Sequence, residues 1–242
     1  MPAGASVASV LDLLRSGRTH VRSLTVPEGL TVAKVLALLE AEPALSGPIG
    51  DPPPEGSLLP DTYHFSRGDS RTALVRRMRE AMTAFMEVSW AKRSPGVPLA
   101  SPAEAVVLAS IVEKETGVPS ERRRVAGVFV NRLKAGMRLQ SDPTVVYALS
   151  AGTGLLARAL TRADWQLASP FNTYQVDGLP PSPIANPGRD AIAAVLDPET
   201  HGFLYFVADG SGGHAFAATL DQHNRNVAAW RRVRAQMSEQ LD

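Results

Sequence analysis

The chain of 242 residues sets 25 lysines and arginines against 24 aspartates and glutamates, for a formal charge of +1, and 44% of it is hydrophobic. Such a composition supports a buried core, and so even a charge balance supplies no bulk attraction for nucleic acid or an anionic membrane surface. The absence of cysteine excludes disulfides and thiolate metal sites, and the longest apolar run, residues 105–112, falls far short of the roughly 18 residues that cross a bilayer.

An internal repeat opens the chain. "SVASVLDLL" (6–14) returns as "TVAKVLALL" (31–39), each with a Ser or Thr placed to cap a short amphipathic helix. Between the copies "HVRSLTVPEG" (20–29) alternates apolar and polar positions before a Pro-Glu-Gly turn, the pattern of a half-buried strand. A proline-rich loop, "GPIGDPPP" (47–54), leads into "EGSLLPDTYHF" (55–65), a second extended segment. Together these predict a small α+β unit that ends near Arg67 or Gly68.

Residues 70–92 form a long helix with Leu74, Met78, Met82, Phe85 and Met86 on one side, a stripe that reads as core. "SPAEAVVLASIVEKETG" (101–117) announces both ends of the next helix. Ser101 and Glu104 make a capping box, Pro102 takes the first helical position, and the helix closes at Gly117 with Pro119 beyond. "SERRRVAGVFVNRLKAG" (120–136) follows with Val125, Val128, Phe129 and Leu133 on one face, so the two helices form a hairpin. Then "SPFNTYQVDGLPPSPIANPG" (169–188) is too broken for a helix and too ordered in its punctuation for a linker, the mark of a shaped loop. A helix over 189–196, strands within 203–209 and 215–219 around "DGSGGH", and a final helix complete the reading.

The hairpin bend carries the puzzle of the sequence: Glu113 and Glu115 stand where an apolar helix ends. The negative end of the helix dipole and an apolar neighbourhood both disfavour ionisation there, so the place suits an acid that keeps its proton. The plain alternative is a pair of solvated carboxylates offset by Lys114.

"EGSLLPDTYHF", "LASIVEKETG" (108–117), "VFVNRLKAGMRLQSDPTVVY" (128–147), "FNTYQVDGLPPSPIANPG" (171–188) and "YFVADGSGGHAF" (205–216) together resemble the YceG-like family of endolytic murein transglycosylases. The resemblance implies an α+β fold, with a LysM-like N-terminal domain over 1–68, truncated at its start, and a mainly helical, lysozyme-like catalytic transglycosylase domain with a few strands over 69–242. It implies cleavage of β-1,4 MurNAc–GlcNAc bonds in nascent peptidoglycan strands to 1,6-anhydroMurNAc ends, terminating the strands, with no cofactor and no metal. Peptidoglycan glycan strands are the expected partner, with peptidoglycan synthases at the membrane as possible others and no nucleic acid. A single-pass anchor in the cytoplasmic membrane is expected of the full-length protein, absent from this chain, with this portion in the periplasm or outside the cell.

Correspondence of "SIVEKE" points to Glu113 as the catalytic acid. It shares a helix face with Val106, Ala109 and Ser110, small residues that could floor a sugar cleft. Gln140, Ser141 and Asp142 are candidates for substrate binding, with Asp142 before Pro143 equally able to cap the next helix. Asn172, Thr173 and Tyr174 offer an amide, a hydroxyl and a flat ring to a saccharide, or else bond their own loop into shape. His214 orients a loop or the substrate. With His201, His223, Asp209 and Asp221 it matches no recognised metal-ligand spacing. Two other functions stay open: a non-catalytic peptidoglycan-binding scaffold, and a muramidase-type hydrolase that uses Asp142 or Glu115 as a second carboxylate.

Overall fold

A computed structural model describes residues 21–239, together with Ser6 and Ala8, so the helix expected over 6–14 lies largely outside the described residues. The N-terminal unit consists of β1 (Arg22–Thr25), α1 (Val32–Ala41) and β2 (Thr62–Phe65). The strands pair antiparallel, with Arg22 opposite Phe65 and Thr25 opposite Thr62. In β2 Tyr63 and Phe65 point inward while Thr62 and His64 face water, the two-residue period of a one-sided strand. Both strands are shorter than the extended segments read from the sequence, because Pro27 and Pro60 have no N–H to give a ladder. Helix α1 closes the unit with Val32, Val35 and Leu39.

Helix α2 (Arg71–Ala91) follows, with the Ser70 hydroxyl accepting the Ala73 N–H. Its apolar stripe is divided between two clusters. Leu74, Val75 and Met78 pack with Val35, Leu39, Leu58 and Phe65 of the N-terminal unit. Met82 and Met86 join the main core. One rod therefore belongs to both.

That main core is built on α3 (Pro102–Glu115), whose residues from Ala105 to Val112 are all buried. The capping box forms in a shifted version: Ser101 Oγ accepts the Glu104 N–H at 3.2 Å, while the Glu104 carboxylate accepts the N–H of Ala100, one residue before the cap, at 2.7 Å. The helix ends at Glu115, before Gly117, because Thr116 turns extended and its hydroxyl accepts the Val118 N–H at 3.0 Å. Around α3 lie α4 (Arg122–Lys134), α5 (Asp142–Leu149) and α6 (Arg189–Leu196). Helix α4 buries Val125, Val128 and Phe129, while Leu133 is only partly covered. The hairpin of β3 (Tyr205–Ala208) and β4 (His214–Ala217) pairs Tyr205 with Ala217 and Ala208 with His214, and α7 (Leu220–Glu239) packs over it. The class is α+β, mostly helical, with two two-stranded sheets among the described residues.

Candidate active site

The two carboxylates at the end of α3 go to different places. Glu113 turns into the junction between α3, α4, α6 and the N-terminal unit, its side chain only 7% exposed. Its Oε2 accepts the Gly188 N–H at 3.0 Å, and its Oε1 lies 3.9 Å from the Arg122 guanidinium. That guanidinium is also 3.9 Å from Glu28 and 3.3 Å from Asp190. Burial, with the Glu28 charge adding to it, raises the Glu113 pKa from its ordinary value, while the Gly188 N–H, Arg122 and Lys114 act the other way. A β-carbon on Gly188 would meet the Glu28 carboxylate, so a larger residue there would push that flexible side chain aside.

The face that Glu113 shares with Ala109 and Ser110 is no cleft floor, which corrects the expectation from helix geometry. Ala109 and Ser110 are 0% exposed, and Ser110 Oγ accepts the Ile184 N–H at 3.0 Å, so the loop around residues 182–188 roofs that face. The shaped loop is therefore structural along this stretch.

Glu115 opens into a groove of about 550 Å³ between the end of α3, α4, the start of α5, the 165–174 loop and the β3–β4 hairpin. The Ser141 hydroxyl donates to its Oε1 at 2.5 Å. Burial raises the Glu115 pKa to about 7, and the Asp142 charge adds to this, against the Ser141 hydrogen bond, His214 and Arg132. This is an acid poised to hold and release a proton near neutrality.

Across the groove Trp165 and Tyr174 stack with ring centroids 5.7 Å apart and planes 28° from parallel. Asp142 holds both: its Oδ1 accepts from Trp165 Nε1 at 3.0 Å and from the Tyr174 hydroxyl at 2.8 Å. Asp142 therefore braces the aromatic pair, and the cap position of α5 belongs to Ser141. A flat aromatic surface with polar edges suits the apolar face of a sugar ring.

The other expected contacts divide by burial. Gln140, held at φ 50°, reaches the groove and receives a long 3.5 Å contact from Arg132. Ser141, Asn172 and Thr173 are at most 1% exposed and spend their polar atoms on bonds within the protein. Thr173 Oγ1 accepts the Ser141 N–H at 2.9 Å, and the Asn172 amide donates to the Trp165 and Leu167 carbonyls at 3.1 and 2.9 Å. They set the loop that carries Trp165 and Tyr174. His214 lines the groove with Nδ1 2.7 Å from Glu121, whose other oxygen accepts the His214 N–H at 3.0 Å. His201 sits elsewhere, 2.9 Å from the Arg124 carbonyl, and His223 stacks on Tyr205. Among the described residues no group of three His, Asp or Glu side chains is arranged to hold a metal ion.

With this geometry in view, the model of the YceG-like family matches residues 1–229. The chain belongs to the YceG-like family. It is similar to a protein of Bacillus subtilis (strain 168) named endolytic murein transglycosylase, 36% identical over 174 residues that cover 72% of this chain and 47% of the relative. A protein of the same name from Streptococcus pneumoniae (strain ATCC BAA-255 / R6) is 33% identical over 177 residues, covering 72% of this chain and 32% of the relative. The chain thus spans less than half the length of these curated relatives. The crystal structure of a YceG-like protein from Listeria monocytogenes superposes with a TM-score of 0.69 at 30% identity, over 90% of this chain and 80% of that one.

In this YceG-like chain, sequence reasoning passed over Trp165, Arg132 and Glu121. A lone tryptophan in the polar stretch "RADWQ" (162–166) was the available signal for the first. Arg132 is 7% exposed, donates to the Leu204 and Leu139 carbonyls at 2.6 and 2.7 Å, and joins the hairpin to the groove wall. Nothing local marks it, since its partners lie on other segments.

Proposed function

We propose that this protein is a lytic transglycosylase that cuts the β-1,4 MurNAc–GlcNAc bond within nascent peptidoglycan strands, and that Glu115, in place of Glu113, is its acid. One observation carries the reading: Glu115 opens into a groove beside an aromatic platform, with burial raising its pKa to about 7. The names of the Bacillus and Streptococcus relatives support the substrate class.

In this mechanism protonated Glu115 gives its proton to the glycosidic oxygen as the C1–O4 bond breaks, and GlcNAc leaves with a free 4-hydroxyl. The oxygen of the muramyl 6-hydroxyl then bonds to C1 while the Glu115 carboxylate takes its proton. One carboxyl returns to its starting form, and the strand ends in 1,6-anhydroMurNAc. Intramolecular attack reaches effective molarities of roughly 10⁵ M or more, which removes the need for a second catalytic carboxylate. Trp165 and Tyr174 seat the sugar, Gln140 and His214 offer polar contacts, and Ser141 steadies the ionised form of Glu115.

The N-terminal unit serves in this reading as a LysM-like glycan-holding module. The full-length protein works anchored at the cytoplasmic membrane, with this portion outside the cytoplasm and peptidoglycan synthases nearby. Among the described residues no helix is long and apolar enough to cross a membrane.

Asp142 supports a second reading, since it lines the same groove and a muramidase-type hydrolase needs such a partner. Its Oδ1 is committed to Trp165 and Tyr174, which favours the transglycosylase. Mass spectrometry of products from purified glycan strands separates the two. Internal cuts with 1,6-anhydro ends are expected, and products heavier by one water would establish the hydrolase instead.

A further inference from the structure

The Asp142 wall of the groove has a second side. Beyond it lies a cavity of about 170 Å³, lined by Lys34 of α1, Lys114 of α3 and the apolar side chains of Pro143, Val146 and Ile184, with Asp142 common to both spaces. Lys114 directly precedes Glu115, and consecutive helical residues project about 100° apart, so one helix end presents an acid to the groove and an ammonium to its neighbour.

Neither ammonium is in ion-pair contact, although the Lys114 charge acts on Glu113 from a distance and Asp142 shares the cavity. Among the described residues no carboxylate oxygen lies within 4.0 Å of Lys34 or Lys114, although ten other pairs meet that distance. The hydrogen bond recorded for Lys114 Nζ is a long one, 3.4 Å to the Gly29 carbonyl. Burial first and the Lys114 charge second lower the Lys34 pKa, so the two cations feel one another. Two like charges at a small cavity are each stabilised by an anion placed between them. The apolar remainder of the lining suits a short aliphatic stem.

We propose that Lys34 and Lys114 form a carboxylate subsite, which takes the acidic substituents of a peptidoglycan strand while its sugars lie in the adjoining groove. The inference rests on the peptidoglycan reading above and adds a selectivity to it. Peptide chains attached through the lactyl group of MurNAc carry carboxylates beside the glycan, and a strand stripped of peptide keeps the lactyl carboxylate itself. Lys34 comes from the N-terminal unit, so the subsite is incomplete without that unit.

The test measures dissociation constants by calorimetry in a Glu115→Gln background, with three tetrasaccharides: one bearing peptides with free carboxylates, one with those carboxylates converted to amides, and one stripped of peptide. The parent is expected to bind the free acid roughly tenfold more tightly than the amide, the scale of one charge-assisted contact. Combining Lys34→Gln with Lys114→Gln should abolish that preference, and each single change should remove part of it. If the combined change instead weakens the stripped tetrasaccharide, the lactyl carboxylate is the occupant, and the subsite stands. Equal binding of acid and amide by the parent, with every constant unmoved by the lysine changes, would overturn it. A parent that binds none of the three sugars would sink the peptidoglycan reading itself.

Discussion

Glu113 and Glu115 are two residues apart on one helix end, and their surroundings differ in kind. Both are withdrawn from water, and burial raises both pKa values. Glu113 is gripped by a backbone N–H and faces a guanidinium shared with Glu28 and Asp190, in a junction that three elements and a loop close over. Glu115 has one hydroxyl for a partner and open space before it. A perturbed carboxyl is thus a poor guide by itself. What separates anchor from reagent is whether the remaining lone pairs face protein or an empty groove.

The sharpest way to break this comparison is to neutralise each acid in turn. Glu115→Gln should lower kcat/KM on glycan strands by roughly 10²- to 10⁴-fold or more, about 3–5 kcal/mol of barrier, while Glu113→Gln stays within about fivefold of the parent. The opposite outcome would return the chemistry to Glu113 and leave the groove without its acid.

The junction should fail in stability where the groove fails in rate. Arg122 is 8% exposed, and Arg122→Met leaves Glu28, Glu113 and Asp190 without a shared cation. A loss of about 2–4 kcal/mol in denaturant unfolding is expected, with activity of the folded fraction preserved. An unchanged midpoint would mean that the junction contributes little.

Glu115 should behave in reverse, gaining stability on losing its charge. Its folded pKa, about 7, lies above the usual 4.5, so the native state holds the proton more tightly than the unfolded chain. Ionisation therefore penalises the folded form as pH rises from about 4.5 to 7, and the full penalty applies above that window. Glu115→Gln should unfold about 1–3 kcal/mol later than the parent at pH 8, with the gap closing below pH 4.5. A variant less stable than the parent at pH 8 would contradict the assigned burial.

The smallest effect concerns tuning. The Ser141 hydroxyl stabilises the ionised form of Glu115, so Ser141→Ala should raise its pKa and carry the alkaline limb of the pH–rate profile upward by about half to one unit. No movement of that limb would detach the titration from Glu115.

Much of the fold was legible because its signals are local. Ser101, Pro102 and Glu104 declare the start of α3, and the alternation around Tyr63 and Phe65 declares a strand. The choice between the carboxylates was not local. It depends on Ile184 donating to Ser110 and Gly188 donating to Glu113, contacts across 74 and 75 positions that a helix-face argument does not contain. The punctuation of 169–188 correctly marked a shaped loop, but part of it roofs α3 while Tyr174 alone of its three expected contacts reaches the groove. The convergence of Lys34 with Lys114 was hidden for the same reason.

The shared membership of α2 bears on handling the protein in pieces. Cutting the chain after Phe65 leaves Leu74, Val75 and Met78, at 2%, 6% and 0% exposure in the intact fold, bare along the first half of a 21-residue rod. A contiguous apolar strip of that kind finds other copies of itself, so the shortened protein should be sticky in solution even if its remaining helices assemble. Solubility, more than foldedness, would then decide where the N-terminal unit can be trimmed, and a serviceable fragment would carry polar replacements at those three positions.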